Sequence, residues 1–124
     1  MTLQSYAFPE IVEQLPEAGL PIPGVKIFIS HAGTHEVWFL KSEIDLDYPP
    51  HAHAAQWAVV LEGRIHIKMD GSSRTYEKGD QYYLPPGVEH SVRIEAGYAE
   101  VMFLDDPDFL GLQQKLKPAD CSSC

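Results

Sequence analysis

The sequence predicts an all-β domain, a small β-barrel or jelly roll with a short helix at each end. Two observations lead to this fold class. Segments rich in β-branched and aromatic residues, many alternating between apolar and polar, recur from residue 25 to residue 105. They follow one another at intervals of about 8–12 residues and are separated by Gly, Pro or Asp, which is typical of sandwiches and barrels.

The 124 residues are one domain's worth of chain, and no linker or internal repeat divides them. We assign residues 1–24 to a helical and Pro-rich N-terminal segment that packs on the barrel, with a helix over residues 8–17. Residues 25–105 form the barrel. Residues 106–124 form a short C-terminal helix and a tail, because the segment opens with Asp-Pro, a favoured N-cap and first helical position.

The strands are assigned in chain order from the same alternation. Residues 36–48 are expected to form one long strand, and the Asp-Gly pair at residues 70–71 predicts a hairpin turn. The full set of predicted strands is 25–31, 36–48, 56–63 and 64–71, followed by shorter strands near 73–77, 80–85, 90–96 and 98–105.

Two strands are apolar on both faces, one around residues 37–40 and the other around residues 57–61. The interior of one barrel covers only one face of each strand, so the second face needs another cover. A partner subunit or the terminal helices would supply it. We therefore expect a homodimer.

The charge balance argues against several kinds of partner. Nine Lys and Arg oppose 18 Asp and Glu, which gives a net charge of −9. Nine cationic residues are too few to form a basic patch. We therefore expect neither nucleic acid nor an anionic membrane as a partner. No secretory pattern opens the chain, and a cytoplasmic location is expected. Cys121 and Cys124 have the spacing of a local disulfide or of half a zinc site, but we expect a tail without structural importance.

Two of the six histidines have a spacing that suits a metal. His51 and His53 are two residues apart, so on a strand both side chains point to the same face. A pair of imidazoles on one face is a bidentate clip for a transition metal. The alternative is a pair of exposed histidines at a strand mouth, beside Pro49 and Pro50.

The surroundings of these histidines carry a family resemblance. Residues 51–63, HAHAAQWAVVLEG, read H-x-H-x2-Q-x6-G, and residues 79–90, GDQYYLPPGVEH, read G-x5-P-x-G-x2-H. Both segments closely resemble the paired motifs of the cupin superfamily, and the chain is identified as a small single-domain cupin. The resemblance implies a cupin-type double-stranded β-helix whose interior gathers four ligands around one divalent metal.

The resemblance assigns the ligands residue by residue. His51 and His53 match the two histidines of the first motif, His90 matches the histidine of the second, and Gln56 falls where the family often has Glu. Gln56 is closer to His53 than the family's usual spacing, and Ile94 stands where the family has Asn. Gln56 is therefore a fourth ligand, a residue that orients an imidazole, or a strand residue with no role in the site.

The ligand set indicates the chemistry of the site. Three imidazoles and one amide oxygen are neutral, so a divalent ion keeps its full charge and favours an anionic ligand. Such a set suits Zn, Fe, Ni, Cu, Co or Mn without choosing among them. We expect a metal-dependent enzyme that acts on a small anionic organic molecule, of the dioxygenase, isomerase, decarboxylase or lyase type. The alternative is a non-catalytic module that binds a metal or a small ligand, since the fold does not choose among activities.

Two tyrosines are further candidates for the pocket. Tyr82 and Tyr83 are adjacent in the second-motif strand, so one faces inward and the other outward. An inward phenol either donates a hydrogen bond to a metal-bound anion or simply packs in the core. The remaining polar candidates are expected at the surface: His31, His35, His66, Glu62 and Glu89.

Overall fold

The computed structural model of the chain describes residues 6–18, 22–31 and 33–105. The predicted C-terminal helix, Cys121 and Cys124 lie outside these residues. Nine strands and one short helix follow one another along the described part of the chain: α1 (Glu10–Glu13), β1 (Val25–His31), β2 (Glu36–Ser42), β3 (Leu46–His51), β4 (Gln56–Glu62), β5 (Arg64–Met69), β6 (Ser72–Glu77), β7 (Gln81–Leu84), β8 (His90–Ile94) and β9 (Tyr98–Leu104).

The strands form two antiparallel sheets, one of five strands in the order β1-β2-β9-β4-β7 and one of four in the order β3-β8-β5-β6. One apolar core lies between their inward faces, which confirms the predicted all-β barrel. Both sheets contribute to it: Ile27, Trp38, Leu40, Val60, Leu84 and Leu104 from the five-stranded sheet, and Leu46, Ile65, Ile67 and Ile94 from the four-stranded sheet.

Residues 36–48 form two strands, so the prediction of one long strand was wrong. β2 ends at Ser42 in the five-stranded sheet, whereas β3 starts at Leu46 in the four-stranded sheet. The Ser42 hydroxyl accepts a hydrogen bond from the Ile44 N–H (3.2 Å) and donates one to the Ile44 carbonyl (2.6 Å). These local hydrogen bonds hold the bend between the sheets, while the apolar alternation runs through it unchanged.

The chain changes sheet again at Gly63, between β4 and β5. The φ angle of Gly63 is +80°, which L side chains rarely adopt. A Cβ at this position would lie 2.8 Å from the Gly97 carbonyl oxygen and 2.9 Å from the Tyr98 Cα. Glycine is therefore required here for two reasons, the backbone conformation and the close approach of the chain before β9.

The predicted hairpin turn between β5 and β6 is confirmed. Asp70 and Gly71 both have positive φ angles, 53° and 75°. Two consecutive residues of this kind form the type of turn whose twist matches that of the flanking strands.

The N-terminal helix is shorter than the helix predicted over residues 8–17. α1 ends at Glu13, and Pro16 has no N–H to continue a helix. The chain instead becomes extended, and the N–H of Ala18 donates to the Ile27 carbonyl of β1 (2.8 Å). α1 is the only helix in the described part of the chain, and it is too short to cross a membrane.

The N-terminal segment covers part of the outer face of the five-stranded sheet. The ring of Phe8 packs edge-on against Phe28 of β1 and Phe39 of β2, with centroids 6.2 and 5.8 Å apart. All three belong to a second apolar cluster that lies outside the barrel core. The second apolar face around Phe39 therefore has a cover within the same chain.

Candidate metal centre

The three motif histidines lie close together where β3 ends and β8 begins. His51 is the last residue of β3 and pairs directly with His90, the first residue of β8. His53 lies beyond the strand, in the segment 52–55 that leads to β4, and not on the strand beside His51 as expected. Its carbonyl accepts a hydrogen bond from the Gly87 N–H (3.0 Å), which ties the segment carrying His53 to the segment preceding His90.

The three imidazoles are within reach of a single ion. One ligand atom from each lies within 4.8 Å of the other two, and the Nε2 atoms of His53 and His90 are 3.1 Å apart. Nitrogen binds a metal such as zinc at about 2.1 Å, so two nitrogens at an angle of about 90–110° are roughly 3.0–3.4 Å apart. The spacing of His53 and His90 agrees with this geometry.

Backbone carbonyls fix the tautomer of all three imidazoles. Each Nδ1 donates to a carbonyl one or two residues away: His51 to Pro49 (2.7 Å), His53 to Ala54 (2.7 Å) and His90 to Val88 (3.0 Å). A carbonyl only accepts, so Nδ1 carries the proton and Nε2 carries the lone pair. This is the tautomer that a ligand bound through Nε2 requires.

The contact between His53 and His90 brings two such lone pairs together. Neither Nε2 atom has a proton to donate to the other in these tautomers. Burial lowers the pKa of His90 below its ordinary value, and repulsion from His51 acts in the same direction, so an added proton is disfavoured. A cation between the two nitrogens would be bound by both lone pairs, and the residues therefore fit a divalent metal.

Gln56 and Tyr82 line the same cavity as the histidines. Gln56 is the first residue of β4, and its side chain is buried in the inward phase of that strand. Residues 54–55, at the end of the irregular segment 52–55, lie between His53 and Gln56, as their odd spacing requires. The Gln56 amide nitrogen donates to the Tyr82 hydroxyl (3.1 Å), so the amide oxygen is the atom of Gln56 that a metal would use.

The two adjacent tyrosines have opposite orientations. Tyr82 is 5% exposed and lines the cavity, whereas Tyr83 is 53% exposed. Tyr83 is the cross-strand neighbour of Trp57 on the outer face of the five-stranded sheet. Tyr82 is therefore the pocket residue, and Tyr83 has no contact with the site.

The other polar candidates lie away from the cavity. His35 was expected to be exposed, but it is half-buried because its ring stacks on Phe103, with centroids 4.3 Å apart. His66 is half-buried outside the barrel and is hydrogen-bonded to Glu95. The remaining expected surface residues are exposed or partly exposed: His31, Glu62 and Glu89.

A buried carboxyl group, that of Glu100, also lines the cavity and is not part of either motif. Its side chain is 2% exposed, and its Oε1 atom accepts hydrogen bonds from the hydroxyls of Tyr82 (2.7 Å) and Tyr98. Burial raises the pKa of Glu100 to about 7, although the two hydrogen bonds act in the opposite direction. Its only signal in the sequence is its inward position in β9, between Tyr98 and Met102.

The cavity is narrow, with a volume of about 40 Å³, and connects with solvent. Its polar groups come from the imidazoles, Gln56, Tyr48, Tyr82 and Glu100. A cavity of this size has room for only a few water-sized groups, so it suits a molecule of a few non-hydrogen atoms. Apolar side chains from both sheets form the rest of its wall: Trp38, Leu40, Ile65, Leu84, Ile94 and Met102.

The comparison with known families agrees with the two motifs. The sequence profile of the Cupin_2 family, described as a cupin domain, matches residues 39–105, which is more than half of the chain. The protein therefore belongs to the cupin superfamily. It has the all-β cupin fold with a cluster of three histidines that could hold a metal. No curated protein sequence matches the chain significantly.

Solved cupin structures share the fold at low sequence identity. An RmlC-like cupin from Shewanella frigidimarina is 21% identical with a TM-score of 0.65, over 82% of this chain and 92% of that one. KdgF from a Halomonas species is 21% identical with a TM-score of 0.62, over 73% of this chain and 86% of that one.

Oxalate decarboxylase from Bacillus subtilis, a protein with Mn(II) centres, is represented by a variant that is 18% identical, with a TM-score of 0.63. The match covers 79% of this chain but only 29% of that enzyme. At these identities the likeness establishes the fold alone.

Proposed function

We propose that the protein is a metal-dependent enzyme that acts on a small anionic organic molecule, with one divalent metal held by His51, His53 and His90. The observation that carries the proposal is the 3.1 Å approach of the Nε2 atoms of His53 and His90, both of which present lone pairs. Two lone pairs at this spacing lie where two nitrogen ligands of a single ion would lie.

We assign the fourth ligand position to the amide oxygen of Gln56. The side chain is buried in the same cavity as the imidazoles, and its nitrogen is already used by Tyr82. Amide oxygen is an acceptable, weaker donor beside three imidazoles, so the set suits Zn, Fe, Ni, Cu, Co or Mn.

The charge of the ligands supports an anionic substrate. All four donors are neutral, so a bound ion retains both positive charges and attracts an anion to its open positions. When bound, the metal supplies a Lewis acid that polarises an oxygen of the substrate. The apolar walls of the cavity strengthen this attraction because they lower the local dielectric constant. The structurally similar oxalate decarboxylase acts on a small dianion, which is consistent with the proposed class.

One feature of the cavity favours an enzyme over a binding module. Glu100 is a buried acid, and burial raises its pKa to about 7, which is the range in which a general acid or base is most effective. A group that exchanges a proton near neutral pH serves catalysis, whereas holding a metal requires no proton transfer. The proposed reaction is of the dioxygenase, isomerase, decarboxylase or lyase type.

The metal assignment is tested by replacing the histidines. We expect protein prepared without added metal to contain about one equivalent of a transition metal, and the His51→Ala/His53→Ala double variant to lose it. His66→Ala is the matched control, because His66 lies outside the cavity and should keep the full content. The readout is metal content by mass spectrometry, with circular dichroism to check the fold. Full metal content in the double variant would overturn the assignment.

The enzymatic assignment is tested with the metal that mass spectrometry identifies in the wild type. The loaded protein is titrated with azide, acetate and oxalate and then screened for turnover of small carboxylates and enolates. Binding with turnover supports the enzyme. Anion binding without turnover of any compound would favour the non-catalytic module.

A further inference from the structure

A chain of hydrogen bonds leads from the inner wall of the cavity to the candidate fourth ligand. The Gln56 amide nitrogen donates to the Tyr82 hydroxyl (3.1 Å), and that hydroxyl donates to Glu100 Oε1 (2.7 Å). The Tyr98 hydroxyl donates to the same oxygen. All four side chains are buried, and they come from three adjacent strands, β7, β4 and β9.

This chain has a direction because a phenol has a single proton. The Tyr82 proton is used by Glu100, so the Tyr82 oxygen only accepts in its contact with Gln56. The part of the Gln56 amide that faces Tyr82 must then be the NH2 group. The amide oxygen is consequently turned away from Tyr82 and remains for the metal.

We propose that Glu100 is a positioning residue that acts through Tyr82 to hold the Gln56 amide with its oxygen available to the metal. The role of Gln56 as the fourth ligand rests on the proposed function. The orientation of the Gln56 amide does not rest on the proposed function, because the hydrogen bonds that fix the amide join protein side chains and involve no metal.

The proposed role does not depend on the charge of Glu100. Oε1 accepts from two hydroxyls, so a proton on the carboxyl group would sit on Oε2 and leave both hydrogen bonds in place. What matters is an acceptor at this position. Without one, the Tyr82 hydroxyl would donate to the Gln56 oxygen, and the amide would turn over to present its NH2 group, which does not bind a metal.

The first experiment measures the amide in the metal-free protein. The side-chain NH2 signals of Gln56 are assigned by NMR from their loss in Gln56→Glu. We expect NOEs from these protons to the ring of Tyr82 in the wild type. In Tyr82→Phe the NH2 signals should move toward the position of a solvent-exposed amide. Unchanged signals in Tyr82→Phe, or no NOE to Tyr82 in the wild type, would overturn the proposal.

The second experiment measures metal affinity in one common background. Tyr98→Phe removes the other hydroxyl on Glu100, so the Tyr82 hydroxyl is the only phenol left on that carboxyl group. In this background, Glu100→Leu removes the acceptor, whereas Glu100→Gln retains a carbonyl oxygen. Zinc affinity is measured by competition with a chromophoric chelator, and cobalt spectra report the donor set.

We expect Tyr98→Phe/Glu100→Leu to bind zinc about tenfold more weakly than Tyr98→Phe, as for other residues that orient a ligand. Tyr98→Phe/Glu100→Gln should stay within about twofold of its parent for the same reason. If Glu100→Leu and Glu100→Gln weaken zinc binding equally, the charge of Glu100 acts instead of its acceptor oxygen. If zinc affinity is the same in Tyr98→Phe and in both double variants, the hydrogen-bond network only packs the core. Either result overturns the proposal.

The two proposals fail in different ways. Absence of stoichiometric metal in the wild type defeats the proposed function, while the NMR experiment on metal-free protein still decides the orientation of Gln56. If Glu100→Leu prevents folding, Tyr82→Phe compared with Tyr98→Phe tests the link from Glu100 to Gln56, and equal zinc affinity in these two variants overturns the proposal. Each of these removes one buried hydroxyl, but only Tyr82→Phe interrupts the path to Gln56.

Discussion

Glu100 places a titratable carboxyl group inside an apolar barrel. The titratable groups that face it are the phenols of Tyr48, Tyr82 and Tyr98. Burial raises the pKa of Tyr48 to about 12 and holds the pKa values of Tyr82 and Tyr98 well above their ordinary value. Among these four groups, only the carboxyl group changes its charge near neutral pH.

We predict that Glu100 makes the metal-free protein less stable as the pH rises from about 4.5 to about 7. Burial raises its pKa in the folded protein to about 7, from an ordinary value of 4.5. Between these values the folded protein keeps a proton that the unfolded chain has lost, so folding is favoured at the lower end and the advantage disappears toward pH 7. The shift corresponds to about 3 kcal/mol in the free energy of unfolding.

The measurement is urea unfolding of the wild type and Glu100→Gln at pH 5 and pH 8, with a chelator present. All other titratable groups are the same in both proteins, so their effect cancels in the comparison. The wild type should lose more stability than Glu100→Gln between the two pH values. The same pH dependence in both proteins would contradict the prediction.

At the scale of the elements, the site is built where the chain passes from one sheet to the other. Segment 52–55 carries His53 from β3 of the four-stranded sheet to β4 of the five-stranded sheet, and segment 85–89 leads from β7 back to His90. The hydrogen bond from the Gly87 N–H to the His53 carbonyl joins these two crossings. The positions of the ligands therefore depend on the crossings as much as on the strands.

The crossing at Gly63 allows a test of how tightly the sheets constrain the backbone. Gly63 and Gly71 both have positive φ angles, of 80° and 75°, but of the two only Gly63 has atoms within 4 Å of the position that a Cβ would take. Gly71→Ala should cost about 1 kcal/mol of stability, the usual cost of an L residue in this conformation. Gly63→Ala should cost about 3 kcal/mol or more, because a backbone clash is added.

Urea midpoints of the two glycine variants check this prediction. Gly71→Ala serves as the control, since it changes the conformational preference without a clash. Equal losses of stability in the two variants would mean that residues 97–98 move away from an added Cβ at little cost in free energy.

The elements also show what the sequence could predict and what it could not. Alternation located the strands, but it continues through residues 43–45, where the chain bends between sheets. That bend depends on the hydrogen bonds of the Ser42 hydroxyl, and the pattern of apolar residues carries no sign of them. The helix over residues 8–17 was overestimated because pairing with the edge of β1 replaces its second half.

The site was predicted to the extent that its residues belong to motifs. His51, His53 and His90 stand at characteristic spacings, and the structure brings them together. Glu100 and Glu36 are both buried carboxyl groups in inward positions of strands. A charged residue in a strand is normally exposed, so neither is recognisable before its partners in other strands are known.

At the scale of the whole molecule, part of the outer face of the five-stranded sheet is exposed and apolar. Val37, Phe103, Trp57 and Tyr83 are direct cross-strand neighbours along one row over β2, β9, β4 and β7. Trp57 is 43% exposed and Phe103 is 39% exposed. The N-terminal segment covers the region around Phe39 but does not extend its described contacts to this row.

We propose that this row is the contact surface of a homodimer. Aromatic residues in a contiguous exposed patch are typical of protein interfaces. Sedimentation at tens of micromolar protein should give twice the 13.9 kDa mass of one chain. Trp57→Lys should shift the protein toward the monomer, whereas Ile11→Lys, at an exposed site on α1, should not. A monomeric wild type, or a dimer unaffected by Trp57→Lys, would contradict this proposal.

If the proposed metal is bound, the separation of the histidines along the chain makes the stability of the protein depend on the free metal around it. His90 follows His53 by 37 residues, so an unfolded chain does not hold the three imidazoles around one ion. If the folded protein holds the ion as proposed, each tenfold rise in free metal above the dissociation constant adds about 1.4 kcal/mol to the free energy of unfolding. The melting temperature would then depend on the free metal concentration of the buffer as well as on the sequence. A chelating buffer would lower the melting temperature without any change in the sequence.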